Sequence, residues 1–131
     1  MKRVTVIVAA GLLAAACGGG DDAGSGSGAV LPVGVYACDE PMMLGGMVVP
    51  NPQTGPMFAV TGPGRYRDFD GGVGRFDLQG GILMMTSGPL SGTRYQQDPE
   101  METYFKVMGA DGQPGETRCV LSPDKPINGP W

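Results

Sequence analysis

The chemistry open to this chain is bounded first by an absence, since none of its 131 residues is histidine. That removes Ser-His and Cys-His nucleophile pairs, the common zinc sites and the usual proton shuttle near neutral pH. Carboxylates remain at Asp68, Asp70, Asp77, Glu100 and Glu102, the residue type that glycosidases use in pairs, but such an enzyme needs a cleft that a domain of about 100 residues rarely encloses. Ser122-Pro123-Asp124-Lys125 has the spacing of a Ser-x-x-Lys nucleophile. That motif works from a helix, which Pro123 and Pro126 forbid. Asp68-Phe69-Asp70-Gly71 offers oxygens at calcium-loop spacing without the further ligands and closing glutamate of such a loop, so these acids read as turn residues. Methionines at 42, 43, 47, 57, 84, 85, 101 and 108 are soft ligands suited to Cu(I), and equally a flexible filler for an irregular core. Neighbours on a strand face opposite sides, so neither Met42-Met43 nor Met84-Met85 closes a chelate. The expectation is a non-enzymatic chain with no catalytic residue, no metal site and no cofactor.

Three cysteines carry the remaining chemistry. Lys2 and Arg3 precede an uncharged, mostly apolar run from Val4 to Ala16, which ends in Ala14-Ala15-Ala16-Cys17. This is the layout of a signal peptide, and as a helix its apolar part would reach about 20 Å, short of the roughly 30 Å hydrocarbon core of a bilayer. Small residues directly before a cysteine resemble the lipobox of bacterial lipoproteins, with Ala14 where that family favours leucine. The resemblance implies cleavage after residue 16, acylation of Cys17 and a cell-envelope location facing the periplasm or the cell surface. Gly18 carries no acidic retention signal, which favours the outer membrane over the inner.

Residues 17–29 form a Gly/Ser-rich tether, with a root-mean-square reach of about 17 to 20 Å. Residues 30–131 remain as one small domain, and without the leader the chain has seven basic residues against thirteen acidic ones, a net charge of −6. That balance argues against nucleic acid and anionic lipid, and suits either solubility or a basic protein partner. With Cys17 lipidated, Cys38 and Cys119 form an even pair outside the cytosol, which reads as a disulfide. Closing a loop of about 80 residues contributes on the order of 4 to 5 kcal/mol in the chain-entropy model.

No stretch of the domain keeps apolar residues at helical spacing, and glycine or proline interrupts it about every ten residues. Short runs bounded by turn residues predict nine strands: 34–39, 42–49, 56–61, 65–70, 74–79, 82–87, 93–97, 103–108 and 117–121. Gly80-Gly81, Asp70-Gly71-Gly72 and Gly109-Ala110-Asp111-Gly112 supply the positive φ angles of tight hairpins. Arg65-Tyr66, Arg75-Phe76 and Arg94-Tyr95 repeat an Arg-aromatic pair, read as aromatic inward and arginine outward. The fold class is all-β, a small antiparallel barrel or sandwich of eight or nine short strands. A bridge between the first and last strands favours the barrel.

At Tyr36-Ala37-Cys38, Ser91-Gly92-Thr93-Arg94-Tyr95 and Cys119 the domain resembles the C-type lysozyme inhibitor lipoproteins, small lipid-anchored β-barrels. That resemblance implies a partner-binding loop at Ser91, Gly92, Arg94 and Tyr95, entering the cleft of a strongly basic enzyme. Tyr-x-Cys, the repeated Gly-x-aromatic turns and Ser87-Gly88-Pro89-Leu90-Ser91-Gly92 also resemble small exported bacterial proteins of unknown role, which brings no activity with it. The expected function is a lipid-anchored binding or structural module, with a lysozyme inhibitor as the alternative and a Cu(I) binder third. Mass spectrometry of membrane-fraction protein should find acylated Cys17 at the mature N-terminus, and Cys17→Ser should release the protein from the membrane; recovery of mature chain with Met1 intact would refute the leader and the anchor together.

Overall fold

The computed structural model describes residues 30–129 and 131, so the leader, Cys17 and the whole tether lie outside the described residues. Eight strands follow in order: β1 (Gly34–Leu44), β2 (Met47–Gly62), β3 (Arg65–Asp68), β4 (Val73–Gln79), β5 (Ile82–Met85), β6 (Arg94–Gln97), β7 (Tyr104–Met108) and β8 (Pro114–Ser122). Each pairs antiparallel with the next, and β8 returns to β1, so the sheet closes into an eight-stranded up-and-down barrel rather than a sandwich. Cys38 lies directly opposite Cys119 in the closing ladder, and the two are joined by a disulfide.

The expected strand 42–49 does not form as drawn, which leaves eight strands rather than nine. Residues 42–49 are the end of β1 and the start of β2, folded back at Gly45 and Gly46, whose φ angles of 59° and 83° are left-handed. Gly80 and Gly81 make the same two-residue turn between β4 and β5, with φ of 59° and 81°. Both φ values are positive in such a turn, and glycine adopts them without a Cβ penalty. β2 then runs on through the expected 56–61 strand, interrupted where Tyr36 pairs with Phe58 but Cys38 with Gln53. Ala37 alone therefore faces Thr54 through Met57, a wide bulge that bends β2 over the barrel.

Alternation builds the core. Tyr36, Phe58, Tyr66, Phe76, Tyr95 and Phe105 are buried, while Arg65 and Arg75 are exposed and Arg94 is half-buried. Tyr36 stacks on Phe58 with centroids 5.0 Å apart, and Tyr95 meets Phe58 and Phe105 edge-on at 5.1 and 6.4 Å, geometries that aromatic quadrupoles favour. Each deep phenol donates a hydrogen bond: Tyr36 to Pro32 O at 2.9 Å, Tyr66 to Ser87 O at 2.7 Å and Tyr95 to Pro56 O at 2.7 Å. Among the described residues no buried side-chain nitrogen or oxygen lacks a partner. Val35 and Ala59 sit across from each other on the outer face and are also fully buried. The C-terminal segment provides a second layer there, held where Arg67, the register partner of Ala59, donates to Ile127 O at 3.0 Å and lies 5.1 Å from the Trp131 ring centre.

Burial raises the pKa of Tyr36, Tyr66 and Tyr95 above the ordinary phenol value of 10.0. Above that pH the unfolded chain releases phenolic protons that the folded chain keeps, so stability that is complete below about pH 10 falls as pH rises. Denaturant unfolding at a series of pH values should show the midpoint constant from about pH 8 to pH 9.5 and declining above about pH 10. Tyr95→Phe should cost about 1 kcal/mol at neutral pH through the lost bond to Pro56 and should make the alkaline decline shallower.

Candidate functional site

The largest departure of this surface from ordinary solvation is the β1–β2 hairpin. β8 accompanies β1 only from Val35 to Asp39, and β3 accompanies β2 only from Phe58 to Gly62. Five register pairs, from Glu40–Asn51 to Leu44–Met47, therefore form a two-stranded ribbon with no third strand, about 17 Å long at the usual rise per residue. Met43, Leu44, Met47 and Val48 are 67%, 59%, 66% and 68% exposed, and Met42 is 38% exposed. Register places Met42, Leu44, Met47 and Val49 on one face, and Pro41, Met43, Val48 and Pro50 on the other. Both faces are thus apolar. No charged residue occurs from Pro41 to Gly64; charge begins at the ribbon's base, where Arg118 Nε donates to Asp39 Oδ1 at 2.9 Å and Thr117 Oγ1 donates to Glu40 Oε1 at 3.4 Å. The side-chain hydrogen bond to Asp39 raises the pKa of Arg118 above its ordinary value.

The sequence-predicted Ser91 and Gly92 lie in the segment between β5 and β6, residues 86–93, which closes on the barrel wall. Tyr66 Oη donates to Ser87 O and accepts from Leu90 N at 2.9 Å. The fit needs bare backbone at two places: a Cβ on Gly74 would collide with Ser87 O and the Tyr66 ring, and one on Gly88, at φ 89°, would meet Gly74 Cα at 2.6 Å. Ser91 is exposed, and Gly92, at φ 92°, has open space where its Cβ would be. Tyr95, by contrast, has no exposed area and gives its hydroxyl to Pro56 O. A partner at this loop therefore meets Ser91, Gly92 and Arg94, while Tyr95 serves the core.

The other candidates take structural positions. Asp68, only 8% exposed, accepts from Gly72 N at 2.7 Å and ties the β3–β4 turn. Asp98 accepts from Glu100 N and Met101 N at 2.7 and 3.1 Å, and Asp111 from Gln113 N at 3.1 Å, all within turns. Met85 and Met57 are in the core while Met84 faces out, and Met43 lies on the opposite ribbon face from Met42 and Met47. Each ribbon face therefore presents at most two thioethers. Among the described residues no three Cys, Asp or Glu side chains converge as a metal site.

Comparison of the chain with protein-family models, curated proteins and solved structures finds no match. The ribbon was not picked out as a unit from sequence, although two signals mark it: the Gly45-Gly46 pair between apolar runs, and the charge-free stretch around them. If the ribbon is not part of the barrel's stability, Leu44→Ser with Met47→Ser should change the unfolding free energy by less than about 0.5 kcal/mol, as surface substitutions do. Gly88→Ala, which strains the backbone and strikes Tyr66, should cost about 2 kcal/mol or more in the same denaturant titration.

Proposed function

We propose that this chain is a lipid-anchored, non-enzymatic binding module of the bacterial cell envelope, and that the β1–β2 hairpin is its contact surface. One observation carries the reading: contiguous large apolar side chains stand in solvent on a ribbon that the barrel does not need for closure. Contiguous exposed apolar surface of this kind marks interaction sites, whereas isolated exposed apolar residues do not. The anchor at Cys17 belongs to the same proposal and comes from the lipobox resemblance. In an up-and-down barrel successive turns alternate between the two ends. The chain enters β1 at the end opposite the hairpin, so the tether joins the barrel away from the hairpin and does not compete with it for contact.

The acidic surface supports the alternative of a C-type lysozyme inhibitor through Ser91, Gly92 and Arg94, and an activity assay separates the two. Purified domain at micromolar concentration should leave C-type lysozyme unaffected; inhibition abolished by Ser91→Ala would replace the hairpin reading with the inhibitor one. The direct test is photo-cross-linking in intact cells, with a photoreactive residue at Val48 or, at the other end of the barrel, at Gln79. Adducts are expected from Val48 and not from Gln79. A chain that yields none from Val48, or equal amounts from both, has no contact surface at the hairpin.

A further inference from the structure

We infer that the β1–β2 hairpin dips into the headgroup and upper acyl region of a lipid layer with neutral headgroups, giving the domain a second attachment beside the acyl chain proposed on Cys17. The inference rests on the reading of the hairpin as the contact surface and names what it contacts.

Sidedness is the first argument. A protein surface laid against a two-stranded ribbon buries one face and leaves the other in water. Here Met42, Leu44 and Met47 occupy one face, and Met43 and Val48 the other. A lipid layer surrounds an inserted ribbon and removes both faces from water at once.

Backbone polarity is the second. In an antiparallel ribbon, register pairs alternate between those that exchange hydrogen bonds and those whose N–H groups point outward. Leu44 and Met47 flank the two-residue turn and form a bonded pair, so the outward nitrogens belong to Met43–Val48, Pro41–Pro50 and Asp39–Pro52. Three of these six are proline nitrogens with no hydrogen, and Asp39 lies within the ladder with β8. Only Met43 and Val48 keep an outward N–H free of a neighbouring strand. Unpaired backbone groups are costly in an apolar medium. The ribbon brings two such donors, and the outward carbonyls of Pro41, Met43, Val48 and Pro50 keep it at the headgroup and upper acyl level, where water can still donate to them. The same prolines deny a second copy the edge donors that strand addition needs.

Charge and reach complete the case. The charge-free stretch from Pro41 to Gly64 offers nothing to hold an anionic headgroup, and the −6 of the remaining chain repels one. Neutral headgroups impose no such barrier. β1, at 11 residues, spans about 36 Å, and residues 18–29 can extend to about 40 Å, so the anchor and the hairpin can reach one surface.

The test uses residues 18–131, which retain every ladder of the barrel and lack the acylated cysteine, in co-sedimentation with phosphatidylcholine vesicles. Binding should persist at high salt, be weaker on phosphatidylglycerol vesicles at low salt, and fall at least about tenfold in Met43→Ser with Val48→Ser, the factor that corresponds to losing the burial of one such side chain. Val73→Ser, equally exposed but outside the hairpin, should bind like the parent chain, and unchanged thermal unfolding of the double variant shows that its loss is not misfolding. Three results would overturn the proposal: no binding to phosphatidylcholine, binding indifferent to the double variant, or a concentration-dependent dimer that the double variant abolishes. Cross-linking at Val48 keeps the two levels apart. A lipid adduct supports the lipid surface, a protein adduct overturns it while leaving the hairpin as a contact site, and no adduct removes both.

Discussion

The pairing of the first strand with the last is the interaction on which the rest of this molecule depends. It joins residues 81 apart in sequence, so its chain entropy must be overcome before the sheet between them can enclose anything. The disulfide between Cys38 and Cys119 locks that pairing one register pair before its end at Asp39. An open sheet would leave β1 and β8 as edges and expose the rings of Tyr36, Phe58, Tyr95 and Phe105, which pack together only because the wall is closed. Closure also sets where β1 stops being barrel wall. β8 follows it only as far as Asp39, and the five residues beyond are left to pair with β2 alone.

The deep tyrosines tie that core to the chain segments around it. Each phenol is buried for its ring and bonded for its hydroxyl, and each bond reaches a different irregular segment: Tyr36 the entry at Pro32, Tyr66 the 86–93 loop, Tyr95 the β2 bulge at Pro56. A buried hydroxyl without a partner costs more than the bond itself contributes, so these contacts constrain the loops strongly. Gly74 and Gly88 are what let the loop come close enough to reach Tyr66.

Polarity is divided between barrel and ribbon. The charged side chains of the domain lie on the barrel and at the base of the ribbon, where the Asp39–Arg118 pair marks the junction. Exposed ion pairs of this kind contribute little stability, and among the described residues the carboxylate of Glu40, the next residue, has only the Thr117 hydroxyl as its partner. The module proposed above would be held by its tether at one end and make contact through the uncharged apolar hairpin at the other.

Local chemistry accounts for what was legible in the sequence. The Arg-aromatic repeats predicted which faces turn inward, because strand alternation needs only neighbours; Gly80-Gly81 announced its turn, because glycine takes two successive left-handed φ values without a Cβ penalty; and two cysteines left over in a chain that reads as exported pointed to their disulfide. Gly45-Gly46 carried the same turn signal but sat within an apolar run that read as a single buried strand. Hydrophobicity records what a residue would prefer to bury, not whether a neighbouring strand arrives to bury it. The choice of barrel over sandwich and the exposure of Met43, Leu44, Met47 and Val48 depend on how far β8 and β3 extend along their partners. That is a property of long-range register, which no local stretch of sequence contains and only the closed tertiary structure decides.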